Sequence, residues 1–173
     1  YLVTANEGDA RDYDGFAEES RVSALQLDAA AFPAAQRSAL ARLNVTTTAG
    51  DDDGDGDYDR LFTFGGRSLS VWSHALELSH DTGDELERQT LARTPALFNT
   101  DHGPALEPDN RSDNKGPEPE GVAVGTVKGR TYAFVGLERV GGVMVYDISS
   151  PASATFVQYL NNRDFAADPT GPD

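Results

Sequence analysis

The densest chemistry in the chain lies in Asp51-Asp52-Asp53-Gly54-Asp55-Gly56-Asp57-Tyr58-Asp59, where six carboxylates fall within nine residues. Asp51, Asp53 and Asp55 followed by Gly56 match the first half of a calcium loop: alternating carboxylates converge on a hard cation and the glycine permits the sharp turn. Asp57 would add a backbone carbonyl, and Asp59 a carboxylate or a bound water. The match stops at Phe62, where an EF-hand needs a bidentate glutamate. The expected metal set is therefore Asp51, Asp53, Asp55, Asp57 and Asp59, the expected cofactor is calcium, and a further ligand must come from elsewhere. A solvated acidic linker is the other reading of such a run.

Two more groups carry candidate chemistry. Asn6 to Asp14 is a polar loop longer than a hairpin needs, and long loops at strand ends tend to be functional. In it Glu7, Asp9, Asp12 and Asp14 offer oxygen ligands, and Arg11 suits a carboxylate or a bound oxyanion; a solvated insertion held by an Arg–Asp pair is the alternative. In Lys115-Gly116-Pro117-Glu118-Pro119-Glu120, two prolines stiffen the chain, and Glu118 and Glu120 are expected to share a face because alternate residues of an extended segment do. Glu7, Glu118 and Glu120, with Asp9, Arg11 and Asp12, form the second candidate metal or anion site. Glu7, Glu120, Glu138 and Arg139 are the catalytic candidates of an enzymatic reading, and a structural ring of salt bridges is the competing one. His74, His80 and His102 lack any paired metal spacing and read as ordinary surface residues.

These residues must be positioned by strands. Gly121–Gly125, Thr131–Leu137, Val143–Ile148 and Ala154–Leu160 are β-branched and aromatic runs separated by Lys128-Gly129, Gly141-Gly142 and Ser149-Ser150-Pro151, the pattern of a four-stranded antiparallel meander. Such a sheet needs neighbours on its faces and edges, and propellers supply them by repetition. Degenerate copies are expected in Tyr1–Gly8 followed by an alternating strand Arg21–Asp28, and in a hairpin of Leu61–Gly66 with Ser68–Trp72. Leu76–His80 reads as an outer strand, Glu85–Leu91 as a helical turn, and Phe32–Leu43 as a helix. The expected fold is all-β: part of a β-propeller, about three blades at on the order of 40–50 residues each, with one short helical insertion. Its expected divisions are 1–50, a blade part with the helix; 51–114, the calcium-loop blade; 115–165, a complete blade; and 166–173, a tail. The remaining blades are expected from the parent chain or a partner chain.

With 29 acidic against 14 basic residues among 173 and a net charge of −15, nucleic acid and anionic membranes are poor partners and cations good ones. The absence of cysteine removes disulfides, thiolate catalysis and zinc–thiolate sites. No apolar run approaches a membrane span, so direct membrane insertion is not expected, and any leader would precede Tyr1. Asn44-Val45-Thr46 and Asn110-Arg111-Ser112 are N-glycosylation triplets of a kind that chance often produces and that a bacterial protein usually leaves unmodified.

Thr4-Ala5-Asn6-Glu7-Gly8-Asp9-Ala10-Arg11-Asp12-Tyr13, Gly54–Asp59, Phe64–Ser68, Lys115–Val122 and Gly136–Gly142 with Tyr159–Arg163 together resemble the bacterial choice-of-anchor I proteins. These are extracellular β-propeller proteins similar to mesenchyme-specific cell-surface glycoproteins and to an atypical class of large alkaline phosphatases. The resemblance spans nearly the whole chain. It implies an exported, surface-attached or secreted protein and a larger parent propeller, and it assigns no catalytic residues. Two functions follow as expectations: a calcium-binding extracellular module acting in cell-surface or surface-layer binding, or a metal-dependent phosphoesterase. In the second, Glu7, Glu118, Glu120 and Glu138 would hold ions that activate water, and Arg11, Arg139 or Arg163 would neutralise phosphate oxygens.

Overall fold

A computed structural model describes residues 1–101, 107–165 and 167. His102 and nearly all of the expected tail lie outside the described residues. By internal contacts the chain divides into two units, Tyr1–Glu7 with Gly66–Asp173, and Gly8–Gly65.

The first unit contains the expected meander. β8 (Pro119–Val127), β9 (Arg130–Leu137), β10 (Val143–Asp147) and β11 (Thr155–Leu160) pair antiparallel in the order β11-β10-β9-β8. Lys128 and Gly129 carry φ of 51° and 77°, the two positive values that a tight, correctly twisted two-residue hairpin requires. Alternation then sorts the faces. Ala133, Val135 and Leu137 of β9 and Met144 and Tyr146 of β10 are buried together with Ile148, Leu69, Val71 and Leu86. Trimming one of these to alanine costs about 2–5 kcal/mol in typical cores.

The same unit holds a three-stranded sheet in the order β1-β6-β7, built from β1 (Leu2–Ala5), β6 (Leu69–Trp72) and β7 (Leu78–Asp81). β7 falls where an outer strand was expected. α2 (Glu85–Arg93) follows, with Glu85 and Glu87 in its first turn and Arg93 in its last, each sign favourable to the helix dipole. It buries Leu86 in the core just described. β1 pairs with β6, in register Leu2↔Trp72 to Ala5↔Leu69, rather than with the segment that follows it. Asn6 stitches the pair together, donating from Nδ2 to Ser68 Oγ at 2.9 Å and Ser70 Oγ at 2.6 Å.

The second unit contains two short ladders, β2 (Asp12–Tyr13) with β3 (Phe16–Ala17), and β4 (Glu19–Arg21) with β5 (Asn44–Thr46), and one helix, α1 (Ala34–Leu40). Two expectations are corrected here. Arg21–Asp28 is not an alternating strand: after β4 the chain enters a 3-10 turn at Val22–Ala24. Val22 and Leu27, five positions apart, both bury, a spacing no strand face supports. Leu61–Gly66 forms no strand either, and only the Ser68–Trp72 half of that hairpin does. Val22, Leu27, Phe32 and Val45 form this unit's core, with Leu40, Leu43 and Tyr58 packed against it. The sheets are thus antiparallel throughout and the fold all-β with few helices, in which one blade-like sheet is complete at four strands.

Candidate functional site

The acidic loop is anchored at both ends before any carboxylate is placed. Gly50 C=O accepts the N–H groups of Asp59 at 2.8 Å and Arg60 at 3.0 Å, closing the base. Tyr58 bridges in parallel to Leu27, and its hydroxyl donates to Thr47 C=O at 3.0 Å. Within the loop the backbone then orients the acids. Asp51 accepts N–H groups from Gly54 at 2.7 Å and Gly56 at 3.1 Å. Asp53 accepts from Asp55 N–H, Asp55 from Asp57 N–H, and Asp59 from Asp52 N–H. Gly54 and Gly56, at φ 78° and 97°, supply the left-handed turns that this wrapping needs.

As a result Asp51, Asp53 and Asp59 bring one carboxylate oxygen each to within 4.8 Å of one another, a spacing suited to a hard cation. Asp55 and Asp57 stand outside that trio. Arg60 supplies a guanidinium, bound to Asp52 at 2.7 Å, and it holds the Asp52 carboxyl below its ordinary range. Asp57 goes the other way. Desolvation, then repulsion from Asp55, Asp28, Asp59 and Asp53, raises its pKa. A raised carboxyl pKa in the folded state subtracts stability at neutral pH, a cost that a cation among the aspartates would offset.

The second convergence is of another kind. Glu7, Glu118 and Glu138 also bring one oxygen each to within 4.8 Å, but cations are already seated on them. Lys115 Nζ lies 2.9 Å from Glu7. Arg111 Nε donates to Glu118 Oε1 at 2.8 Å and Arg139 Nε to Oε2 at 3.2 Å. Arg139 Nη2 also lies 3.1 Å from Glu138, and Asp101 completes the network at 3.9 Å from Arg111. Glu118 is the hub, with a side chain that is 0% exposed. Burial, then a hydrogen bond that the protonated Glu138 carboxyl donates to Glu118, raises the Glu138 pKa. Four carboxylates and three cations make a salt-bridged node in which a metal would compete with resident charges.

The expected sharing of a face by Glu118 and Glu120 does not hold. Glu118 is buried and Glu120 exposed, because Glu118 has φ of 52° and therefore is not extended, and a register shift follows between Pro119 and Gly121. Asp9, Arg11 and Asp12 belong to the Gly8–Gly65 unit, while Glu7, Glu118 and Glu120 belong to the other. Arg11 is engaged locally, its Nε 2.8 Å from Glu18. Residues that sequence reasoning passed over are Arg111, read only as the middle of a glycosylation triplet, and Lys115, one of the chain's two lysines. A lysine three positions before Glu118 in so acidic a chain was the available signal.

Glu18 supports a pH prediction. Its carboxylate accepts from Arg11 Nε, Arg11 N–H at 3.2 Å, and the hydroxyls of Thr46 at 2.8 Å and Thr48 at 3.2 Å. The bond from Arg11, then that from Thr46, lowers its pKa to about 2. A depressed carboxyl pKa contributes stability that is complete above the ordinary value and lost as pH falls through the folded one. Glu18→Gln is therefore expected to lower the melting temperature at neutral pH, and the gap to wild type is expected to close as pH falls from about 4.5 towards about 2. Melting curves across that range check it, and a gap independent of pH would refute the ionic role.

A model of the choice-of-anchor I domain matches residues 1–151. Among curated proteins, Gigasin-3a of Magallana gigas is 37% identical over 124 residues, covering 68% of this chain and 43% of that protein. The mesenchyme-specific cell surface glycoprotein of Strongylocentrotus purpuratus is 31% identical over 111 residues, covering 57% of this chain and 14% of that protein. The chain thus spans less than half the length of either relative. No solved structure matches.

Proposed function

The chain belongs to the choice-of-anchor I domain family, and on that premise we propose that it is part of an exported β-propeller that acts at a cell surface or surface layer and binds calcium through the Asp51–Asp59 loop. The observation that carries the metal reading is the convergence of Asp51, Asp53 and Asp59, each held by a backbone N–H of the same loop. The surface reading draws on the sea-urchin relative, whose printed name is that of a cell surface glycoprotein. Among the described residues no helix is long and apolar enough to cross a membrane. The four-stranded sheet ends in β8 and β11, each paired on one side, so further blades from the parent chain or a partner chain are the natural neighbours.

Calcium titration with thermal melting tests this. A ligand that binds only the folded state adds about 2.7 kcal/mol at a hundredfold excess over its Kd. The melting temperature is expected to rise with calcium, to fall back on chelation, and to ignore calcium in an Asp51→Asn, Asp53→Asn double variant. No shift in the wild type, or one that survives in the variant, would remove the proposal. The alternative, a metal-dependent phosphoesterase, draws on the Glu7–Glu118–Glu138 convergence and requires Arg139 to exchange its bonds to Glu118 and Glu138 for phosphate oxygens. It requires p-nitrophenyl phosphate hydrolysis that depends on added metal and is lost in Glu138→Gln.

A further inference from the structure

We propose that Asn110 is an N-glycan acceptor and that Asn44, the other asparagine in an acceptor triplet, is not. The triplets Asn44-Val45-Thr46 and Asn110-Arg111-Ser112 are equivalent as text, and the fold separates them. Asn44 lies in β5, which is buried at all three positions, and its Nδ2 donates to Glu19 Oε1 at 3.0 Å. A sugar on that nitrogen would break the bond and push bulk against the β4–β5 ladder, where Asn44 pairs with Arg21. The residue is closed to modification in any folded molecule.

Asn110 is half-buried in a turn, preceded by the exposed residues Glu107, Pro108 and Asp109. Its Oδ1 accepts the Asp101 N–H at 3.0 Å. That bond fixes the planar amide with Nδ2 turned away from it, and no described residue accepts a hydrogen bond from Nδ2. Glycosylation removes one of the two Nδ2 protons and leaves Oδ1 untouched, so the bond to Asp101 survives. In the transfer, Nδ2 bonds the anomeric carbon of an oligosaccharide as the bond from that carbon to a lipid diphosphate breaks. The lipid diphosphate leaves, and the amide proton is released. The donor is a lipid-linked oligosaccharide of the export route. Ser112 supplies the hydroxyl the triplet requires, and in the folded chain that hydroxyl accepts from Asn99 Nδ2 at 2.9 Å.

The site rests on the export reading, so the test supplies export. The chain is expressed with a leader in a glycosylating secretory host, and the purified product is treated with an amidase that releases N-glycans and leaves aspartate at the modified position. The expected result is a glycan mass lost on treatment, with the conversion located at position 110 by peptide mass spectrometry. The mass is expected to be retained in Asn44→Gln and Ser112→Thr and lost in Asn110→Gln and Ser112→Ala. Unmodified wild-type protein in the secreted fraction, or modification at position 44, overturns the proposal. Either result leaves the calcium reading to the melting experiment.

Discussion

Glu118→Ala is expected to lower the unfolding free energy by about 3–5 kcal/mol, because it strips the shared partner from two partly buried guanidinium groups. In a chain of this size that corresponds to a fall in melting temperature of roughly 6–20 °C. The reasoning is asymmetric. A buried ion pair contributes little beyond a well-packed apolar substitute, but removing one member leaves the other desolvated and unmatched. Arg111 and Arg139 both point at Glu118, whose side chain is fully enclosed. Glu120→Ala, two residues on and exposed, is expected within about 0.5 kcal/mol of wild type. Glu118→Gly separates charge from backbone. Since φ is 52° there, glycine escapes the left-handed penalty of about 1–2 kcal/mol that alanine bears, so it should be the milder of the two substitutions. Denaturant melts of the three variants check this, and equal effects at 118 and 120 would undo the hub assignment.

Gly50→Ala is expected to cost about 2–5 kcal/mol, the sum of a left-handed penalty and the strain of forcing atoms into a filled site, and to abolish the calcium response. Gly50 has φ of 113°, and a Cβ there would sit 2.2 Å from the Arg60 carbonyl oxygen. That clash falls at the closure where Gly50 C=O receives the Asp59 and Arg60 N–H groups. Opening it withdraws Asp59 from the trio. Gly54→Ala is the control, since at φ 78° it meets nothing within 4 Å and should cost only the conformational part, about 1–2 kcal/mol. Melting with and without calcium reads both variants, and a Gly50→Ala protein that still responds to calcium would disprove the link between closure and site.

Much of this molecule follows from short-range chemistry. The meander was legible because its turns are built from Lys128-Gly129 and Gly141-Gly142, whose conformations pair adjacent strands without help from elsewhere. The acidic loop was legible for the same reason: glycines and aspartates spaced by two can satisfy one another through neighbouring N–H groups. The pairing of β1 was not legible. The aromatic and apolar run in Tyr1–Gly8 marks a strand but names no partner, and the partner lies at Leu69–Trp72.

The sequence by itself therefore determined the run of four strands and the place where carboxylates crowd, since each depends on residues within a few positions of one another. Only the tertiary structure decided that Asp51, Asp53 and Asp59 meet while Asp55 and Asp57 stand aside, that Glu118 turns inward to Arg111 and Arg139, and that Asn44 is buried and bonded through Nδ2 where Asn110 is half-buried and bonded through Oδ1. The reason is physical. Burial and charge pairing are set by whichever groups the folded chain brings alongside, and a left-handed residue such as Glu118 reverses the direction in which its side chain would otherwise have pointed.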